Sequence, residues 1–151
     1  MRGRALVAHN IYIGPMPNNF EMKALKESGI TAILSIMRPE EGADAIARNA
    51  RGQGMAWSAV PIRDAVFSGV PEPEHIKQAV DILDCWVRKG HVVYVHCMMA
   101  QGRSPLIVIA YRCLIKGEDL MAAIHEVKQA WPDANCSPKQ IEVLCRILNK
   151  R

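Results

Sequence analysis

Three short apolar runs, Ile30–Ile36, Met55–Ile62 and Val92–Val95, each follow a helical stretch, with Gly29 and Gly90 as the stops of the first and third and a glycine-containing turn after the second. Strands that alternate with helices need crossover connections, so these runs read as neighbours in a parallel sheet with helices on its faces. Ahead of them, Val7–Ile13 reads as a first strand closed by Gly14-Pro15-Met16-Pro17, and Asn18 or Asn19 can cap a short helix carrying Met22 and Leu25. An Ala-rich helix is expected from Pro39 to about Asn49. The strand Met55–Ile62 ends in a loop with Gly69, Pro71 and Pro73, and the stripe Ile76, Ala79, Val80, Leu83, Trp86 and Val87 has helical spacing. After Val95 the pattern is helical: Pro105 to about Lys116, then a helix with Leu120, Ala123, Ile124 and Val127 on one face, then one with Ile141, Leu144 and Leu148. The expected architecture is α/β: a single domain over residues 1–151 with an open, mostly parallel sheet of about four to five strands flanked by helices.

Half of the residues are apolar and 23% are charged, enough for one sizeable core, which excludes a disordered chain. No stretch approaches the roughly 18 apolar residues of a membrane span. Met1-Arg-Gly-Arg4 has no long apolar segment behind it, so no signal peptide is read and no membrane partner is expected. The five cysteines, at 85, 97, 113, 136 and 145, are odd in number and lack C-x-x-C spacing. That argues against a disulfide framework and a structural zinc site, and it points to a reducing, cytoplasmic setting. His9, His75, His91 and His125 are scattered, so neither a metal nor a cofactor is expected. The net charge of +4 is spread along the chain; it permits an anionic substrate and gives no reason to expect nucleic acid.

The chemistry sits in Val95-His96-Cys97-Met98-Met99-Ala100-Gln101-Gly102-Arg103-Ser104-Pro105, which runs from a buried strand through a small loop into a helix. A loop of this length ending at a helix start can turn the N–H groups of Met98, Met99, Ala100, Gln101, Gly102 and Arg103 inward as an anion-binding concavity. The same partial positive charge, with Arg103 and His96, should stabilise a thiolate at Cys97. Arg103 supplies a planar fork for two phosphoryl oxygens, which a lysine cannot match. Ser104 can set its hydroxyl near the sulfur, and Pro105 suits a first helical turn. The same Cys-to-Arg spacing recurs at Cys145 and Arg151, but there it lies at the end of an amphipathic helix, with no preceding strand or glycine.

This segment resembles the signature of the cysteine-dependent protein tyrosine phosphatase superfamily, specifically its small dual-specificity type: strand, His-Cys-x5-Arg-Ser/Thr, helix. Ile11-Tyr-Ile-Gly14 resembles that family's opening strand, Gly29-Ile-Thr-Ala-Ile-Leu34 its second, and Val60-Pro-Ile-Arg-Asp64 the strand that delivers the general acid. Two positions depart from the pattern: Ala100 stands where glycine is common, and Pro105 where glycine or alanine is usual. The resemblance implies a metal-independent phosphatase with Cys97 as nucleophile, a phosphocysteine intermediate held by Met98 to Arg103, and a carboxylic acid that protonates the leaving oxygen and then activates water.

Asp64 is the expected acid, because loops leaving the C-terminal ends of parallel strands converge on one sheet edge. Its rival is Asp133, since Trp131-Pro132-Asp133 spells the acid-loop motif of tyrosine-specific relatives, though it follows the nucleophile where theirs precedes it. His96 is expected to support the loop and Ser104 to assist the sulfur. Gln140 resembles a water-positioning glutamine of relatives, yet Ser137-Pro-Lys-Gln140 also spells a helix capping box. Cys85, Cys113 and Cys145 read as ordinary buried cysteines. The expected substrate is a phosphorylated protein or peptide, phosphotyrosine first. The loop lacks the lysines of phosphoinositide-directed relatives, and RNA 5′-triphosphate stays open on charge. A rhodanese-like sulfurtransferase and a non-catalytic phosphopeptide-binding module are the competing classes.

Overall fold

The computed structural model describes residues 3–63 and 70–150. Five strands form one sheet: β1 (Ala5–Ala8), β2 (Ile11–Gly14), β3 (Ala32–Ser35), β4 (Ala56–Ala59) and β5 (Val93–His96), in the order β1-β2-β5-β3-β4. All neighbours are parallel except β1, which pairs antiparallel with β2. β5 therefore runs up the middle of the sheet, and all four of its residues are buried, as expected for a strand covered on both faces.

The side chains divide by the period of two. Ala32, Leu34, Val93 and Val95 join the larger core with α3 (Pro73–Arg88), α4 (Arg103–Leu114), α5 (Leu120–Ala130) and α6 (Pro138–Asn149). Ile33 and Tyr94 face the other way, into a smaller core with Met22 and Leu25 of α1 (Asn19–Glu27) and Ile46 of α2 (Ala43–Gly52). α4 is apolar on nearly every side, because it packs between the sheet and the helices α3, α5 and α6. The capping signals fall where expected: the Asn18 side chain accepts from the Glu21 amide at 2.8 Å, and the Ser137–Gln140 box is formed.

Two expected elements differ. The single strand Val7–Ile13 is a hairpin, broken at His9-Asn10, where Asn10 takes φ 59. An asparagine carries the left-handed residue, so no glycine or proline marked the turn. The helix expected from Pro39 begins as a single 3-10 turn, Pro39–Glu41, and Gly42 at φ 102 redirects the chain before α2 starts. That detour leaves Glu41 outside the helix, at the C-terminal edge of the sheet beside β5.

Candidate active site

β5 ends at His96, and the loop 97–102 hands the chain to α4 at Arg103. The carbonyls of Cys97, Met98, Ala100, Gln101 and Gly102 point outward, and the surrounding protein holds them there. Cys97 O lies 3.1 Å from His96 Nδ1, and Met98 O accepts from the Met16 amide at 3.1 Å. Ala100 O accepts from Trp131 Nε1 at 2.8 Å and Gln101 O from the Asn135 amide at 2.6 Å. Gly102 O accepts the first bond of α4 from Leu106 at 3.0 Å and also the Cys136 thiol at 3.5 Å. A trans peptide sets each N–H opposite the preceding carbonyl. The amides of Met98, Met99, Gln101, Gly102 and Arg103 are thereby turned to the inner side of the loop, at the N-terminus of α4, where an anion is favoured. Ala100 makes this turn at φ 59, an uncommon conformation for a residue with a Cβ. Gly102 has no room for a Cβ without crowding the Gln140 amide at 3.2 Å.

Arg103 is 2% exposed and is fixed by a residue that its own segment does not contain. Nη1 donates to Glu41 Oε2 at 2.8 Å and Nη2 to Glu41 Oε1 at 2.9 Å, a bidentate pair, while Nη1 also donates to the Ile62 carbonyl at 3.0 Å. The Arg38 amide donates to Glu41 Oε2 at 2.7 Å. Desolvation pulls the Glu41 carboxyl upward, but the hydrogen bonds from Arg103 and Arg38, with their charges, outweigh it and hold it below its usual value. Glu41 was not singled out from sequence. The available signal was an acidic pair, Glu40-Glu41, in the segment that follows a strand whose C-terminal end borders the loop.

Behind Cys97, His96 is fully buried, and desolvation lowers its pKa to about 4, with the charge of Arg103 adding to the effect. Its Nε2 lies 2.7 Å from Ser35 Oγ, and Ser35 Oγ accepts from Trp57 Nε1 at 3.0 Å. The Ser104 hydroxyl is buried and has no hydrogen-bond partner among the described residues. Gln140 satisfies the cap with Oε1, which accepts from the Ser137 amide at 2.8 Å, while its buried Nε2 has no partner among the described residues.

Asp64 belongs to the segment 64–69, outside the described residues. Asp133 is exposed, in the α5–α6 connection. Trp131, Asn135 and Cys136 of that connection all bond to loop carbonyls, so it clamps the loop from its outer side. Burial, and then the nearby Cys97, push the Cys136 thiol up to about 12, which keeps it an S–H donor. Cys113 is buried as expected, whereas Cys85 and Cys145 are only half-buried, because they lie on the outer flanks of α3 and α6. Arg151, the accidental partner of Cys145, lies outside the described residues. A cleft of about 400 Å³ beside Arg103 is lined by Ile62, Arg38, Arg63, Val70, Glu72 and His75, so its walls carry more cationic than anionic groups. Among the described residues no helix is long and apolar enough to cross a membrane.

The family model for the dual specificity phosphatase catalytic domain matches residues 11–150. Dual specificity protein phosphatase 5 of Homo sapiens is 29% identical over 119 residues, which cover 79% of this chain and 29% of that protein. Phosphatidylglycerophosphate phosphatase PTPMT1 of Arabidopsis thaliana is 28% identical over 126 residues, covering 83% of this chain and 36% of that protein. The chain thus spans only about a third of the length of these two relatives. Among solved structures, Tk-PTP in its active form shares the fold with a TM-score of 0.88 at 22% identity, over 98% of this chain and 97% of that one. PTPMT1 does so with 0.85 at 18% identity, over 98% and 95%. The strand, loop and helix around Cys97 are thus set in a match that covers nearly the whole sequence, and the chain belongs to the dual specificity phosphatase catalytic-domain family.

Proposed function

We propose that this chain is a metal-independent phosphatase that hydrolyses phosphotyrosine, and also phosphoserine or phosphothreonine, on proteins or peptides in the cytoplasm. The observation that carries the reading is the outward pinning of the loop carbonyls, which turns a set of amides inward in front of Cys97 with Arg103 beside them. A phosphoryl group bound there meets preorganised donors that need no rearrangement as charge builds on its equatorial oxygens. Glu41 and Ile62 grip the Nη1 and Nη2 end of Arg103, and the Nε–Nη2 edge of the guanidinium has the planar spacing for two phosphoryl oxygens.

In the first step the Cys97 thiolate forms an S–P bond as the P–O bond to the substrate breaks, and the Asp64 carboxyl gives its proton to the departing oxygen. In the second, the Asp64 carboxylate takes a proton from water as that water attacks phosphorus. The S–P bond breaks, the thiolate returns with the Ser104 hydroxyl as its donor, and inorganic phosphate leaves. Asp64 is favoured over Asp133 because the loop of Asp133 binds the carbonyl side of the phosphate loop, away from the inward amides.

A second reading, a phosphomonoester on a lipid headgroup, draws on the likeness to the phosphatidylglycerophosphate phosphatase of Arabidopsis thaliana. Both are tested by hydrolysis of a phosphotyrosine peptide, a phosphoserine peptide and a phospholipid monoester in the presence of a chelator. Wild type is compared with Cys97→Ser, Asp64→Asn and Asp133→Asn. Peptide turnover abolished in Cys97→Ser and strongly reduced only in Asp64→Asn is expected. Turnover confined to the lipid supports the second reading. Peptide binding without any turnover identifies a binding module, and thiosulfate turnover alone a sulfurtransferase.

A further inference from the structure

The polar chain behind Cys97 can be assigned proton by proton. The Cys97 carbonyl only accepts, so the 3.1 Å contact requires a proton on His96 Nδ1. The buried ring is neutral, so Nε2 is an acceptor and must take the Ser35 hydroxyl proton across 2.7 Å. Having given its one proton to His96, Ser35 Oγ is left as an acceptor, and the indole of Trp57, which can only donate, fills that role at 3.0 Å. A donor-only group at one end and an acceptor-only group at the other leave one consistent arrangement. Protonating Nε2 would force the Ser35 hydroxyl to accept from both sides and strand its own proton in the core.

We infer that Ser35 and Trp57 are positioning residues for the phosphatase reaction proposed above: they fix the Nδ1–H tautomer of His96 and, through it, the Cys97 peptide from which the phosphate loop starts. The tautomer of a histidine is set by the bond that its other nitrogen makes. With the Nδ1 proton in place, the Cys97 carbonyl is held outward and the Met98 amide inward. If Nε2 loses its donor, the proton can move there, the Cys97 carbonyl loses its partner, and the first amide of the anion site loses its orientation. The groups around His96 leave this balance to the hydrogen bonds: Tyr94 stacks on the ring at 6.1 Å, and the charge of Arg103 opposes protonation. Neither supplies another donor for Nε2. Ser35 ends β3 and Trp57 lies on the edge strand β4, so a residue two strands from the nucleophile reaches it through one hydroxyl and one imidazole.

The test uses Ser35→Ala, Ser35→Thr and Trp57→Phe in the full chain. Three readouts are taken: the His96 ring nitrogens by 15N NMR, the pH profile of Cys97 alkylation by iodoacetate, and kcat and KM on an aryl phosphate. Wild type and Ser35→Thr are expected to hold the Nδ1–H form. Ser35→Ala should populate the Nε2–H form, move the alkylation profile to higher pH and lower kcat about 10-fold, by analogy with loss of the outer partner of a metal-ligating histidine. Trp57→Phe should do the same to a smaller extent, and it carries the test if Ser35→Ala does not fold. An unchanged tautomer and alkylation profile in both Ser35→Ala and Trp57→Phe overturns the inference, whatever happens to melting temperature. If wild type turns over no phosphate ester, the proposed function fails, while the spectroscopic and alkylation arms still decide the relay.

Discussion

Mild acid should weaken this fold through His96 before the Glu41 carboxylate is protonated. The ring titrates near 6.5 when exposed in the unfolded chain and at about 4 in the folded one, because burial disfavours the charged form. The folded pKa lies below the unfolded one, so between these values the unfolded chain binds the extra proton. The contribution is fully present above pH 6.5 and is lost as pH falls toward 4. The whole interval corresponds to about 3 kcal/mol, and the part lost by pH 5 to about 2 kcal/mol. The Glu41 carboxyl, held below its usual value of 4.5, contributes stability that disappears only under more acid conditions, so pH 5 separates the two. Urea unfolding at pH 7 and pH 5 should therefore give a difference of about 2 kcal/mol for wild type. His96→Asn should start less stable at pH 7 but lose much less between the two pH values. Equal losses in both proteins, or an NMR titration that places His96 near 6.5 in the folded state, would refute the reasoning.

Three further outcomes follow from single contacts. Glu41→Gln keeps the shape but removes the counter-charge of a buried arginine. As Glu41 retains some exposure, a loss of about 2 kcal/mol is expected, seen as a fall of roughly 4–8 °C in melting temperature, together with reduced kcat/KM. Trp131→Phe keeps an aromatic side chain and deletes the bond to Ala100 O; the unpaired carbonyl should cost about 1–2 kcal/mol and weaken inhibition by vanadate, measured as a raised inhibition constant. Gly14→Ala would drive a Cβ into the Tyr94 hydroxyl, which donates to Pro15 O at 2.6 Å. A loss of about 1–3 kcal/mol in urea unfolding is expected there.

The phosphate loop was legible because its chemistry is contiguous. Strand, cysteine, glycine, arginine and helix start follow one another in eleven residues from Val95 to Pro105, and the structure folds that stretch as one unit. The same holds for the caps at Asn18 and Ser137, which depend on residues three apart. The hairpin at His9-Asn10 was missed for the opposite reason. Its strands bury Val7, Ile11 and Ile13 with the same alternation a single strand would show, and asparagine at positive φ leaves no mark in the hydropathy pattern.

What holds the loop in shape was not legible, because its partners come from elsewhere in the chain. Glu41 reaches Arg103 across 62 residues, Ser35 reaches His96 across 61, and Trp131 reaches Ala100 across 31. Each pairing exists because a parallel sheet brings the C-terminal ends of β3 and β5 side by side, and because two helices return the chain to the loop's outer side. The Trp-Pro-Asp tripeptide shows the consequence: by its letters it matches an acid loop, yet its tryptophan serves as a donor to a loop carbonyl. Local pattern identifies residue types suited to a chemistry, whereas the fold decides which face of the loop they address. The inward amides of Met98, Met99, Gln101, Gly102 and Arg103 and the outward carbonyls that precede them are two sides of the same peptides, so a residue bonded to the second set supports the anion site without entering it.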